Sequence, residues 1–170
     1  SSERFLGQGY KVVGVDCNPI MYSRSCTHFK NYIEKGQLIL IDKCIDSVDN
    51  EERNFYIQPN CEVWSSLNKD IAERVNSSET VKVKTITLRT LIETYGVPRY
   101  CKIDIEGHDG IAIDSLFGMS ELPEIISCET ECLGKNVDPK SHDFLSNVRK
   151  LHDLGYTKFF LENQRNNPRP

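Results

Sequence analysis

Short apolar runs that end in acidic residues constrain the fold of this chain most strongly. Such runs cover residues 9–16, 100–106 and 124–129, and helical patterns separate them. Runs of this length are typical of strands buried in a parallel sheet. Residues 9–45 show a strand, a helix and a second strand at 37–45, which is the pattern of a βαβ unit. The sequence therefore predicts an α/β fold with a doubly wound, mostly parallel sheet.

Several further elements are predicted from periodicity and from capping residues. The run 81–86 alternates apolar and polar residues, which favours an antiparallel or edge strand. Asn18, Thr87 and Ser141 each precede a helical pattern and are candidate N-caps. The other predicted elements are strands at 54–57 and 156–161, a weak helix at 64–75 and a helix from Asp109.

Composition and charge limit the classes of function. A chain of 170 residues can bury a real core, and one domain over 1–170 is expected. Lys and Arg number 21 against 25 Asp and Glu, and the net charge of −4 without a basic block argues against nucleic acid as a partner. The mean hydropathy of −0.46 and the lack of a long apolar run or signal-peptide pattern predict no membrane partner and a cytoplasmic location.

The cysteines predict no metal site and no disulfide framework. There are seven, an odd number, and most lie inside apolar strand-like runs. Cys128 and Cys132 form a CxxxC pair, but no second pair or nearby His completes a zinc site. Buried, reduced thiols in a reducing cytosol are therefore expected.

The acidic residues at the strand ends are the candidate functional residues. Ligands of open α/β sheets bind beyond the carboxyl ends of the strands, where Asp104 and Glu106 are predicted to lie. Asp16 ends an earlier strand, and an acid at that place commonly accepts hydrogen bonds from ribose hydroxyls. A structural interpretation stays open for each, because Asp16 or Asp109 could cap a helix or lie at a solvated strand end.

Four strings of the sequence match one enzyme family in order. They are residues 12–19, 55–57 followed by 65–67, 83–92, and 102–107. Over about residues 10–130 the chain resembles the FkbM-type S-adenosylmethionine-dependent methyltransferases, whose strings run V-x-A-x-E-P-x-P, F-Y-(V/I) with S-S-L, V-x-T-x-x-L-D-x-L and K-I-D-(V/I)-E-G. The resemblance implies a Rossmann-like class I methyltransferase fold and S-adenosylmethionine as the cofactor. It also implies a small-molecule or glycan acceptor that is methylated on a hydroxyl group.

The resemblance assigns roles to individual residues. It places Asp16 at the adenosyl ribose, with Asn18 in the same cofactor-binding string, and Cys44 and Ile45 at the adenine. The remaining assignments are Ser65 and Ser66 to substrate or cofactor positioning, and Asp104, with Glu106 beside it, to the methyl-transfer region.

The chain also departs from the family pattern. Arg89 stands where Asp is frequent, and His108 where a small residue is usual. Class I methyltransferases have a first strand and a glycine-rich turn, D-x-G-x-x-x-G, yet only Gly7 and Gly9 precede the Asp16 strand. The fold is therefore expected to be N-terminally incomplete, with part of the cofactor site missing or differently built.

Methyl transfer to a hydroxyl needs in-line alignment and a base. We hypothesise that Asp104 or Glu106, alone or with His108, is this base, although an unperturbed carboxylate is a weak base for an alcohol. His108 could instead be a capping or surface residue. A second hypothesis has Asp104, Glu106, His108 and Asp109 bind a divalent metal for sugar-nucleotide or phosphate chemistry. A third is a non-catalytic binding module.

Overall fold

Helices and strands are interspersed along the chain in the computed structural model, which describes residues 2–58, 65–73, 78–105, 107–129 and 145–161. This mixture of elements confirms the α/β class. The helices are α1 (Ser2–Gly7), α2 (Pro19–His28), α3 (Lys30–Glu34), α4 (Lys69–Ala72), α5 (Leu88–Tyr95), α6 (Asp109–Asp114) and α7 (Ser146–Asp153). The strands are β1 (Val12–Val15), β2 (Leu38–Ile41), β3 (Cys44–Ile45), β4 (Glu52–Ile57), β5 (Glu79–Ile86), β6 (Tyr100–Lys102) and β7 (Ile125–Ser127).

Within the described ranges the strands pair as three small sheets. β1 pairs with β2, β3 with β5, and β6 with β7, all in parallel. β4 pairs with β5 in antiparallel orientation, which agrees with one of the two alternatives predicted for 81–86, whereas β5 is not an edge strand because it lies between β3 and β4. The parallel pairs agree with the predicted α/β class, whereas a single doubly wound sheet stays a prediction.

The first βαβ unit forms where the sequence predicts it. Asn18 is the N-cap of α2, and its Oδ1 accepts hydrogen bonds from the backbone N–H groups of Ile20 (3.0 Å) and Met21 (3.4 Å). Pro19 occupies the first turn, where a backbone N–H would have no acceptor within the helix, so proline is tolerated there. Val12 then lies opposite Leu38 in the parallel ladder. The cap and the proline therefore mark the start of α2, although the helix has no buried residue.

Two predicted elements differ from the structure. Residues 156–161 form no strand, although the Tyr156 hydroxyl donates a hydrogen bond to Pro123 O at 2.6 Å. Phe160 is 88% exposed, because this apolar segment has no sheet to pair with in the described part of the chain. The Ser141 cap lies outside the described residues, and the weak helix is limited to α4 in the part that is described.

Two clusters of buried residues form the core. The larger lies between α5, α6, α7 and β6 and includes Leu91, Ile103, Ile113 and Leu116. Val15, Ile41, Ile45 and Ile105 pack against it, which brings the ends of β1, β2, β3 and β6 to one core. The smaller cluster contains Cys17, Cys44, Phe55 and Ile57.

A disulfide joins Cys17 and Cys44, which corrects the expectation of reduced thiols for these two residues. Parallel pairing places the ends of β1 and β2 at the same sheet edge, and only two residues separate β2 from β3. The Cα atoms of the two cysteines are consequently 4.9 Å apart, within the range that a disulfide spans. Cys26, Cys101 and Cys128 are free thiols.

Candidate functional site

Asp16 follows β1 directly and is held in place by the backbone. Its N–H donates to Ile41 O at 3.1 Å, and its Oδ1 accepts from the N–H of Asn18 at 2.9 Å. The second carboxylate oxygen, Oδ2, has no hydrogen-bond partner among the described residues. Burial raises the pKa of Asp16 above 3.8, and the nearby Asp42 carboxylate adds to this, while the Asn18 N–H opposes it. A half-buried carboxylate with one free oxygen suits a ligand hydroxyl group.

Asn18, Ser65 and Ser66 have structural roles around Asp16. Asn18 is buried, its Oδ1 caps α2, and its Nδ2 donates to Ser65 Oγ at 3.5 Å. Ser65 Oγ also accepts from the N–H of Gln58 at 3.2 Å. Ser66 is 1% exposed, and its Oγ accepts from the N–H of Asn68 at 3.0 Å. The predicted binding residues therefore lie together with Asp16, but their polar atoms mainly hold the backbone.

Cys44 and Ile45, which the resemblance places at the adenine, form β3. The Cys44 sulfur is bound to Cys17 and is therefore engaged in a covalent bond. Ile45 is half-buried, and part of its side chain packs against the larger core cluster. Of the two, Ile45 has the apolar and partly accessible surface that a flat heterocycle can contact.

Asp104 lies in the loop after β6, since that strand ends at Lys102. Its carboxylate is exposed and pairs with the Lys102 ammonium group. Glu106, the second predicted acid, lies outside the described residues. Gly107 follows with φ of 88°, a backbone conformation that favours glycine and that turns the chain into α6. Asp104 is thus a solvated charge with a partner, not a desolvated base.

His108 is the N-cap residue of α6, without a capping hydrogen bond from its side chain. Its Nδ1 is buried and has no hydrogen-bond partner in the described part of the chain. Burial lowers the pKa of His108 below 6.5, although the carboxylate of Asp46 acts in the opposite direction. Asp46 is itself buried and pairs with Arg53 Nε at 3.0 Å. The imidazole is therefore neutral at pH 7 and can accept a proton.

Asp109 joins the ends of β6 and β7, a role that the sequence does not reveal. It is 3% exposed, its Oδ1 accepts from the N–H of Ile105 at 3.0 Å, and its Oδ2 accepts from the N–H of Glu129 at 2.8 Å. Both oxygens thus hold the backbone, and the N-cap position falls to His108 instead. The sequence shows an acid next to a glycine turn, but it does not show which backbone N–H groups this acid binds, because they follow two different strands.

A polar cleft of about 170 Å³ opens beside this turn, between α6 and α7. Gly107 and Asp109, the neighbours of His108 in sequence, are among its lining residues. A Cβ at Gly110 would come within 3.0 Å of Asn147 Oδ1 and 3.2 Å of Lys150 Nζ, so only glycine fits without a shift. The other lining residues are Glu129, Ser146, Asn147 and Lys150.

The structure thus groups Asp16, Asn18, Cys44, Ile45 and Ser65, and the interaction of His108 with Asp46, the residue after Ile45, brings the imidazole near the same group. Among the described residues, no three His, Cys, Asp or Glu side chains are arranged to hold a metal ion. In the same residues, none of the helices has both the length and the apolar character needed to cross a membrane.

A comparison with protein families decides the affiliation of the chain. The model described as "Methyltransferase FkbM domain" matches residues 2–157. The chain belongs to the FkbM methyltransferase family. No curated protein and no solved structure matched at the significance required. The resemblance drawn from the four sequence strings is confirmed.

The Arg89 departure from the FkbM pattern has a structural explanation. Arg89 Nε donates to Ser115 O at 3.0 Å, and another guanidinium nitrogen donates to Phe117 O. Ser115 Oγ in turn accepts from the Arg89 N–H at 3.2 Å. Arg89 therefore fastens the start of α5 to the end of α6, and this substitution lies in the scaffold of the FkbM domain.

Proposed function

We propose that this FkbM-family chain is an S-adenosylmethionine-dependent methyltransferase that methylates a hydroxyl group of a sugar or a small natural product. The observation that carries the proposal is the Asp16 carboxylate. It directly follows a parallel strand, is half-buried, and keeps Oδ2 free of partners among the described residues. The Asn18 N–H fixes its orientation from the other side.

These residues fit the adenosyl part of the cofactor. Asp16 Oδ2 would accept hydrogen bonds from a ribose hydroxyl, and such bonds to a charged acceptor are stronger than neutral ones. Ile45 would contact the adenine with its exposed apolar surface. The cofactor supplies an activated methyl group on a sulfonium ion. The FkbM match over residues 2–157 supports this choice of ligand.

His108 is a better candidate for the base than Asp104. The Asp104 side chain is exposed to water and engaged in an ion pair with the Lys102 ammonium group, so its carboxylate is not free to contact an acceptor hydroxyl. His108 is neutral, and the Asp46 carboxylate favours the imidazolium ion that forms when the acceptor hydroxyl loses its proton. Asp46 therefore acts on His108 through its charge, since its two oxygens accept hydrogen bonds from Ser47 and Arg53.

The polar cleft lined by Gly107 and Asp109, the sequence neighbours of His108, supports the proposed acceptor class. Its lining is polar and includes Ser146, Asn147 and Lys150, although Lys150 also pairs with Asp114 and Asn147 Nδ2 also donates to Glu129 O. Such a set of donors and acceptors suits a ligand with several hydroxyl groups, and the apolar ring of an aromatic acceptor would find few partners.

Calorimetric titration with S-adenosylhomocysteine tests the cofactor assignment. We expect saturable binding by the wild type and about 10- to 100-fold weaker binding by Asp16→Asn, since a hydrogen bond to a charged group contributes about 1.5–3 kcal/mol. Asp153→Asn, which removes an exposed carboxylate on α7, is the matched control and should bind as the wild type does. Absence of wild-type binding, or equal affinity of Asp16→Asn, would contradict the proposal.

Transfer of labelled methyl groups tests the acceptor class. We expect label on the hydroxyl groups of sugars or small polyhydroxylated compounds. Label found only on amines or carboxylates would refute O-methylation while leaving the cofactor assignment intact.

A further inference from the structure

The Cys17–Cys44 disulfide lies directly beside the residue that we assign to the ribose. Cys17 is the residue after Asp16, and Cys44 opens β3, where it lies opposite Thr85 of β5. The disulfide therefore connects the loop after β1 to a strand of a different sheet. Both cysteines are buried in the smaller core cluster, together with Phe55 and Ile57.

The other contacts of this loop are packing against the two core clusters and a few hydrogen bonds. Asn18 Nδ2 reaches Ser65 Oγ at 3.5 Å, which is a long hydrogen bond. The Asp16 N–H bonds to β2, which belongs to the same sheet as β1. Between β2 and β3 there are only two residues, Asp42 and Lys43, and both lie outside strands. Among the described residues, the disulfide is thus the covalent cross-link that joins the segment of Asp16 directly to the β3–β5–β4 sheet, in addition to the core packing.

We propose that the Cys17–Cys44 disulfide is a positioning element for the cofactor, which holds Asp16 and Ile45 at a fixed separation so that affinity is high only while the bond is formed. The inference rests on the proposed function, because it assigns both residues to the adenosyl group. Each of them is adjacent in sequence to one half of the disulfide. Breaking the bond frees the loop after β1 to move relative to β3.

Opening the bond requires a reductant. A small dithiol supplies two electrons and two protons, the Sγ–Sγ bond breaks, and Cys17 and Cys44 become thiols. The dithiol closes to its own cyclic disulfide, so the exchange is balanced. A protein disulfide or a low-molecular-weight disulfide reverses the exchange by the same chemistry.

The test compares Cys17→Ala/Cys44→Ala with the wild type and with Cys26→Ala, which removes a free thiol and is the matched control. Alanine keeps the buried sites apolar, and circular dichroism melting establishes that each protein is folded at the assay temperature. Wild type treated with dithiothreitol provides the reduced state without a mutation. Mass spectrometry after alkylation counts the free thiols in each sample.

Two readouts are measured. The first is the hydrogen exchange rate of the Asn18 amide, which bonds to Asp16, and we expect it to rise about tenfold or more when the disulfide is absent. The second is the Kd of S-adenosylhomocysteine, which we expect to rise about tenfold, with Cys26→Ala unchanged. Unchanged exchange and unchanged affinity would overturn the proposal, as would free thiols at Cys17 and Cys44 in the protein purified without reductant.

The two proposals fail in different ways. Absence of binding in every sample would contradict the cofactor assignment and with it the effect on affinity, whereas the exchange rate still decides whether the disulfide holds the Asp16 loop. Binding that is equally tight with and without the disulfide would leave the methyltransferase proposal standing and refute the positioning role.

Discussion

The end of β1 and the end of β6 both carry acidic residues, yet these residues are used differently. At β1, the Asp16 carboxylate is half-buried and keeps one oxygen free of partners among the described residues. At β6, Asp104 is exposed and paired with Lys102, and both oxygens of Asp109 bind backbone N–H groups. An acid at a strand end is therefore a candidate ligand-binding group only if it is partly buried and one of its carboxylate oxygens is not already bound by a backbone N–H group or a charged side chain.

The largest effect, on kcat, is expected when His108 is replaced, because we propose this residue, and not the acids, as the base near the end of β6. Asparagine is a favourable N-cap, so His108→Asn should fold. We expect its kcat to fall by about 10²- to 10⁴-fold, the usual contribution of a general base. Because the neutral imidazole is the active form and its pKa is lowered, the acidic limb of the wild-type kcat profile should lie below pH 6.5.

Asp104→Asn is the comparison for this prediction, and its kcat should stay close to that of the wild type. The opposite ranking, with Asp104→Asn inactive and His108→Asn active, would identify Asp104, the acid of the K-I-D string, as the base. The acids at the two strand ends would then no longer differ in whether they take part in function.

The second largest effect is expected on stability at Asp109. Asp109→Ala leaves the N–H groups of Ile105 and Glu129 without their charged acceptor, and we expect the free energy of unfolding to fall by roughly 3–5 kcal/mol. Asp104→Ala removes an exposed ion pair and should cost less than about 1 kcal/mol. Urea unfolding measures both. Similar losses in the two variants would show that burial does not distinguish these acids.

The smallest effect is the dependence of stability on pH at Asp16. Because its pKa is raised in the folded state, the folded state binds the proton more tightly than the unfolded state between pH 3.8 and the raised value. The ionised carboxylate thus disfavours folding, fully so above the raised pKa. Asp16→Asn should therefore gain stability relative to the wild type as the pH rises through this range, as urea unfolding at several pH values would show. A loss instead would identify Asp16 as a structural acid like Asp109.

The sequence predicts those features that depend on neighbouring residues. Asn18 and Thr87 cap their helices as expected, and the Thr87 Oγ1 accepts from the Thr90 N–H at 3.1 Å. Features that depend on distant partners were missed or wrong. The run at 156–161 has strand character but no strand partner in the part of the chain that the structure describes, and Asp109 acts on residues of two other segments. The Cys17–Cys44 bond requires the parallel pairing of β1 and β2 before its two atoms can meet.

The disulfide also has a consequence for the preparation of this protein. In the V-x-A-x-E-P string, proline follows the acid, and its ring fixes φ near about −65° under all conditions. Cys17 stands at that position, so this chain restrains the same segment by a bond that oxidation makes and reduction removes. Material produced in a reducing bacterial cytosol, or stored with a thiol, would carry a loosened segment after Asp16. The redox state of Cys17 and Cys44 should therefore be determined for every sample whose activity is measured.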